Sequence, residues 1–203
     1  NQVSKMKIGD IIKIKHGFAF KSRWFSKNGT YVLLSPGNFF EKGGYKDRGV
    51  KQKYYTGSIK DEYILNKNDL LIVMTEQAPG LLGSPMLVPK AQKFLHNQRL
   101  GLVQPKVGFE YLQEYMFYIC NTSNFRNTLY KTGTGIKVRH TSPEKIENVI
   151  INYCKDKKKQ KIIVNKISEL DNHAQTILDG YKIKIKLLNE LKESLVKSII
   201  FNY

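Results

Sequence analysis

Cysteine is nearly missing from this chain and carboxylates are scarce. Cys120 and Cys154 are the two cysteines in 203 residues. They lack CxxC spacing and have no histidine at ligand distance, which argues against a zinc site and for a reducing compartment. His16, His96, His140 and His173 are scattered, with no HxxxH pair, so no metal is expected. Proline stops at Pro143, and beyond it glycine occurs once, at Gly180. No apolar run reaches the roughly 18 residues of a membrane span. The opening "NQVSKMKIGD" has no signal-peptide core, so a cytoplasmic protein is expected. The first residue is not Met, as in a fragment or a processed chain.

Catalytic signatures are missing too. There is no GxxxxGK[ST] phosphate loop, and "GTGIKV" lacks the third glycine and the strand-to-helix setting of a dinucleotide site. An amino-methyltransferase would need an Asn/Asp-Pro-Pro-aromatic motif and a glycine-rich cofactor loop, and neither occurs. Asp69 and Glu76 flank an apolar run, but no acidic-x-Lys follows to complete a metal-dependent nuclease. The expectation is a non-catalytic chain with no cofactor of its own.

What is abundant is positive charge. Thirty-four Lys and Arg against 17 Asp and Glu leave a net charge of +17. A general abundance of lysine would give this without any partner, so position matters. Through Cys154 there are 23 basic and 11 acidic residues, an excess of 12, and the remainder has 11 against 6. The excess lies mainly at the front, as in a domain that meets a polyanion.

The front part reads as short strands between polar turns. Residues 31–35, 69–75, 85–89 and 99–105 are apolar runs bounded by Gly, Pro, Asn and Asp. Residues 36–49 carry four glycines and should form a surface loop that packs through Phe39, Phe40 and Tyr45. Helical spacing marks residues 111–120, and Ser123 caps a second helix over 123–130. In "TSPE", Thr141 and Glu144 have capping-box spacing and Pro143 suits a first turn. A strand-like "NVIINY" follows.

From Lys157 the period changes. Ile163, Ile167, Leu170, Ala174, Ile177 and Tyr181 recur in alternating steps of four and three, and after a phase slip near Ile183 and Ile185 the pattern resumes at Leu188, Leu191 and Leu195. A helix from Lys157 to Phe201 would be roughly 65 to 70 Å long. Its apolar seam needs a long partner helix, and this chain has no second one. The fold class is therefore α+β (mixed α/β), with a front domain over 1–154 and a long C-terminal coiled-coil helix over 155–203.

Three loops have the chemistry of nucleic-acid contact. "HGFAFKSRWF" carries Lys21, Arg23 and Trp24. "YKDRGVKQKYY" carries Lys46, Arg48, Lys51 and Lys53, and "YKTGTGIKVRHTS" carries Lys131, Lys137, Arg139 and His140. Each joins cations for phosphates to groups that could meet base edges. One such loop is as well explained by solvation, but three on one domain favour nucleic acid. The rival is a coiled-coil scaffold whose basic domain binds nucleic acid without sequence preference.

"IGDIIKIKHGFAFKS", "YILNKNDLLIVMTEQAPGLLGSPMLVP", "FLHNQRLGLVQPK" and "GTGIKVRHTSPEKIENVIINYCKDKKKQKIIVNKISEL" resemble, in the same order and over nearly the whole chain, the specificity subunits of type I restriction-modification systems. The resemblance implies a target recognition domain followed by one conserved helix, which is half of a subunit with two of each. It implies double-stranded DNA, methyltransferase (modification) subunits that supply S-adenosylmethionine, and a restriction endonuclease subunit as partners. It also implies self-pairing, or pairing with a second half-subunit, through the helix. The family's proline-rich "IPLPP" and "EQ" before the helix are replaced by "IINYCKDKKKQ", in which only Gln160 matches. Because "NQRLGLVQP" matches a recurrent family segment, its amides and Arg99 are expected to be structural. The sequence readers are expected on loops, at Arg23, Arg48, Gln77, Lys137, Arg139 and His140.

Overall fold

The computed structural model describes residues 3–77, 79–90 and 93–201. Two compact units divide the chain, one running as far as Lys161 and the other from Ile162 on. The strands are β1 (Val3–Lys7), β2 (Ile12–His16), β3 (Phe25–Ser26), β4 (Tyr31–Leu33), β5 (Tyr54–Tyr55), β6 (Leu70–Val73), β7 (Thr75–Glu76), β8 (Pro85–Leu87), β9 (Phe94–Leu95), β10 (Leu100–Pro105), β11 (Arg139–His140) and β12 (Ile150–Cys154). The helices are α1 (Gln113–Cys120), α2 (Ser123–Thr132), α3 (Pro143–Glu147) and α4 (Lys157–Phe201).

The central sheet of the first unit is antiparallel, in the order β2-β10-β6-β8. All four residues of β6 are buried, so this strand reads as a continuous apolar run with no alternation. Leu71, Val73, Met86, Leu100 and Leu102 join Leu34, Phe39, Leu65 and Phe94 in the main core. A smaller sheet, β3-β5-β4-β9, has a parallel pair between β4 and β9 and encloses Phe20, Leu33, Tyr55 and Leu95. β1 pairs with β12 in register from Val3 opposite Cys154 to Lys7 opposite Ile150, which ties the front of the chain to the segment before α4.

Several sequence expectations shift by a residue or two. The run 69–75 divides at Met74 into β6 and β7, and β7 leaves the central sheet to pair with β11. The cap of α2 is Thr122, whose hydroxyl accepts from Phe125 N, and not Ser123, which is the first helical residue. The cap of α3 is Ser142, accepting from Lys145 N, so the Thr141 capping box does not form. Residues 36–49 are more built than a surface loop. Pro36–Asn38 form a 3-10 turn, and the amide of buried Asn38 donates to Gln52 Oε1 at 2.8 Å. Phe39 belongs to the core and Tyr45 packs against it, while Phe40 is half exposed. Residues 12–16 form a strand that the sequence analysis did not mark.

At the end of the first unit, Asp156 Oδ1 accepts from Lys158 N and Lys159 N and starts α4. Fully buried Gln160 donates to Cys154 O at 2.8 Å and accepts from Leu112 N at 2.9 Å. It thereby holds the first turn of α4 against the loop before α1, and no proline is needed there. α4 runs unbroken for 45 residues, about 68 Å at 1.5 Å each. From Ser168 onward every described residue is exposed. Among the described residues no helix is long and apolar enough to cross a membrane.

Candidate nucleic-acid interface

The two-residue ribbon β7–β11 brings together segments more than sixty positions apart in the chain. Arg139 lies opposite Glu76 and His140 opposite Thr75. His140 is exposed, and its Nδ1 meets Thr75 Oγ1 at 3.0 Å. Gln77 follows β7 directly and is exposed. A second antiparallel bridge, between Thr134 and His140, closes residues 134–140 into a tight loop. Gly135 makes the loop possible: its φ is +96°, and a Cβ there would lie 2.0 Å from Val138 O. The loop presents Lys137 and a fully exposed Ile136. Ile136 was not marked in the sequence analysis, because an apolar residue is conspicuous only once its side chain is seen to be unburied.

Arg139 is placed differently from the other candidates. Its guanidinium lies 4.1 Å from the centre of the Tyr130 ring, donates to Tyr130 O and to Gly133 O at 3.4 Å, and has its Nε 4.0 Å from Glu76 Oε1. These contacts fix the loop from inside. Glu76 is buried, and its Oε2 accepts from Leu81 N at 2.8 Å and Leu82 N at 2.7 Å. This carboxylate organises the turn after Gln77. Among the described residues no group of three His, Cys, Asp or Glu is arranged to hold a metal ion. Lys131 is exposed in the last turn of α2, and Lys145 caps that helix by donating to Thr132 O at 2.7 Å.

The second basic loop leans on the same scaffold through Arg126, a residue the sequence analysis missed. Its Nε donates to Leu82 O at 3.1 Å, Nη1 to Glu41 O at 2.9 Å and Nη2 to Gly80 O at 2.6 Å. Burial lowers its pKa, and the Glu76 and Glu41 carboxylates oppose that. Ser84 Oγ donates to Phe40 O, and Gly44 N to Pro85 O, across the same junction. Lys46 is exposed, with its Nζ 5.9 Å from the Phe40 ring centre. The Arg48 guanidinium crosses Gly37, where a Cβ would lie 3.1 Å from its Cζ.

Lys21 and Arg23 line a different cleft, over the smaller sheet and beside Trp24. Of the nine site candidates, the structure thus joins Gln77, Lys137, Arg139 and His140 on one ribbon. It brings the loop of Lys46 and Arg48 to the same scaffold and sets the Lys21–Arg23 pair apart.

Residues 1–187 match the family model for the type I restriction modification DNA specificity domain. The chain belongs to that family. Solved structures agree on the fold. The specificity domain is similar to the S subunit of a type I restriction-modification system from M. genitalium, with TM-score 0.61, 15% identity, and 93% of this chain covered against 44% of that one. It is similar to a chain in a structure on complex assembly and conformational transition of the type I R-M system, with TM-score 0.71, 15% identity, and coverage of 97% and 45%. A third likeness is to the HsdS subunit from Thermoanaerobacter tengcongensis, with TM-score 0.60, 15% identity, and coverage of 86% and 39%. The chain therefore spans less than half the length of the solved chains it matches. No match is found among curated protein sequences.

Proposed function

We propose that this specificity domain is the DNA-reading part of a type I restriction-modification complex, directing adenine methylation and restriction carried out by partner subunits. The observation that carries this reading is the β7–β11 ribbon, which sets exposed Gln77 beside the basic 131–140 segment on a chain of net charge +17. Gln77 and His140 offer amide and imidazole groups to base edges in the major groove, Ile136 offers apolar contact to a thymine methyl, and Lys137, Lys131 and Lys46 meet phosphates. Arg139 holds the loop that carries Ile136 and Lys137. The chain itself is read as non-catalytic, with S-adenosylmethionine bound by the methyltransferase that extracts the target base.

α4 supplies the assembly surface. Leu170, Ala174, Ile177, Tyr181, Leu188, Leu191 and Leu195 are all exposed along it, and Ile163 and Ile167 are half buried. An apolar stripe of this length calls for a second long helix, from another copy of the chain or another half-subunit. Self-pairing imposes a two-fold axis, so the recognised site would be an inverted repeat with a fixed spacer.

The test is co-expression with a cognate methyltransferase in a methylation-free host, followed by sequencing for modified adenine. A gapped palindromic motif supports the reading. If the same methyltransferase is active with a full-length specificity subunit but leaves the genome unmodified or modified without a motif beside this chain, recognition by a self-paired chain is refuted.

A further inference from the structure

The cleft beside Trp24 has features that the ribbon surface lacks. Its volume is about 340 Å³, at the lower end of small-ligand sites, and so suited to one planar group and not to a duplex. Phe20 and Tyr55, both core residues, form its floor, with ring centres 4.7 Å apart. Phe18, Tyr63 and Trp24 are less buried and complete the aromatic lining, and Phe18 lies 5.1 Å from both Phe20 and Tyr63. Lys21, Arg23 and Lys60 are the charged lining residues, with no carboxylate among them.

Trp24 is held in place although the residue is 44% exposed. It ends a 3-10 turn over Ser22–Trp24, its N donates to Lys21 O at 3.1 Å, and its carbonyl accepts from both Thr56 N and Thr56 Oγ1. The Arg23 guanidinium lies 5.8 Å from the indole centre. Gly57 leaves the room this arrangement needs, since a Cβ there would stand 2.8 Å from Trp24 Cγ and 2.7 Å from the Tyr55 hydroxyl. An exposed tryptophan with a fixed backbone, beside cations and over an aromatic floor, is the arrangement by which proteins hold unstacked bases, with the ring against the base and the cations on the phosphate.

We infer that this cleft holds one unstacked nucleotide, its base against Trp24 and its phosphate at Lys21, Arg23 or Lys60. The inference rests on the DNA-binding reading above but concerns a separate contact: the ribbon meets paired DNA, and the cleft takes a base that has left the stack. A single-stranded or extrahelical position is its ligand.

Trp24 is the only tryptophan of the chain, so its emission reports on the cleft alone. The full chain is titrated with a short oligothymidylate and with an abasic phosphodiester strand of equal length. Quenching by oligothymidylate, with affinity on the order of tenfold above the abasic strand, is the expected result. Equal affinity for both strands, or binding that leaves the emission unchanged, overturns the inference. Trp24→Leu, followed by anisotropy of labelled oligothymidylate, should lose that preference and keep residual salt-sensitive binding. Its thermal unfolding should match the parent, because the ring is not in the core. A Trp24→Leu protein that folds and still prefers the base-bearing strand also counts against the cleft. Duplex binding is measured in parallel. If duplex affinity is retained while the cleft test fails, only this inference falls, whereas loss of both brings down the DNA-binding reading itself.

Discussion

The imidazole of His96 is fully buried, and its Nε2 lies 2.8 Å from Leu100 O. With a carbonyl as acceptor, Nε2 carries the proton and donates. Burial lowers the pKa from 6.5 to about 4, and Lys15 and His16 add to this against the Leu100 hydrogen bond. The folded chain thus keeps His96 neutral where the unfolded chain binds a proton. This contribution is full above pH 6.5 and is lost as pH falls from 6.5 to 4, by about 3 kcal/mol in all. His96→Gln can still donate to Leu100 O and does not titrate, so its stability difference from the parent should shrink on acidification from pH 7 to 4. Parallel unfolding curves across that range would refute this. Of the neighbouring polar residues, Asn97 is structural through its side chain, its Oδ1 accepting from Arg99 N at 3.0 Å, whereas Gln98 and Arg99 are exposed and bond here through their backbone, Gln98 N to Phe18 O and Arg99 O from Met74 N. On the ribbon, Lys137→Gln should weaken binding to every duplex alike and reduce the salt slope by about 1, while His140→Ala should relax preference at one base pair by about 1 to 3 kcal/mol. Binding isotherms against a panel of single-base variants separate the two outcomes.

Among the elements, α2 organises the proposed recognition surface and adds Lys131 to it from its last turn. One arginine on its inner side ties the loop at Glu41 to the turn at Gly80 and Leu82. Arg126→Met keeps the stem but removes three hydrogen bonds, of which the one to Leu82 O is part-buried, so it should cost about 1 to 3 kcal/mol. Amide exchange should accelerate around Gly43 and Gly80 and stay slow in β6. Uniform acceleration across the unit would show that Arg126 is part of global stability and not a tie between loops. Gly135→Ala should act on the ribbon alone, since the strain and the clash with Val138 O are both local.

At the scale of the whole molecule, α4 carries an apolar face that its own chain leaves uncovered beyond Ser168. Leu188→Glu with Leu191→Glu places charge on both sides of the seam. The pair should abolish self-association in sedimentation without lowering the unfolding temperature of the first unit, because those side chains touch no core. A monomer before mutation, or a dimer after it, would contradict helix pairing. Adding or deleting one heptad in α4 moves its far end by about 10 Å, or roughly three base-pair steps. The spacer of the methylated motif should change while the half-site sequences stay the same.

The seam of α4, the apolar runs of β6 and β10 and the amphipathic α1 could be read from the sequence because their periods are local and long enough to repeat. The family was also legible, since its segments recur in order over most of the chain. β2 was legible too, since Ile12 and Ile14 alternate with Lys13 and are buried where it is exposed. Tertiary structure alone decided the rest. β7 and β11 are two residues each and carry no period, so only the packing that brings Glu76 to Arg139 defines them. The same packing set Arg139 against Tyr130 and Glu76 within its own loop, made Arg126 a tie between loops, and left Ile136 in solvent. A charged side chain has the same letter whether it meets DNA or its own backbone, and only the partners placed beside it by distant segments tell the two apart.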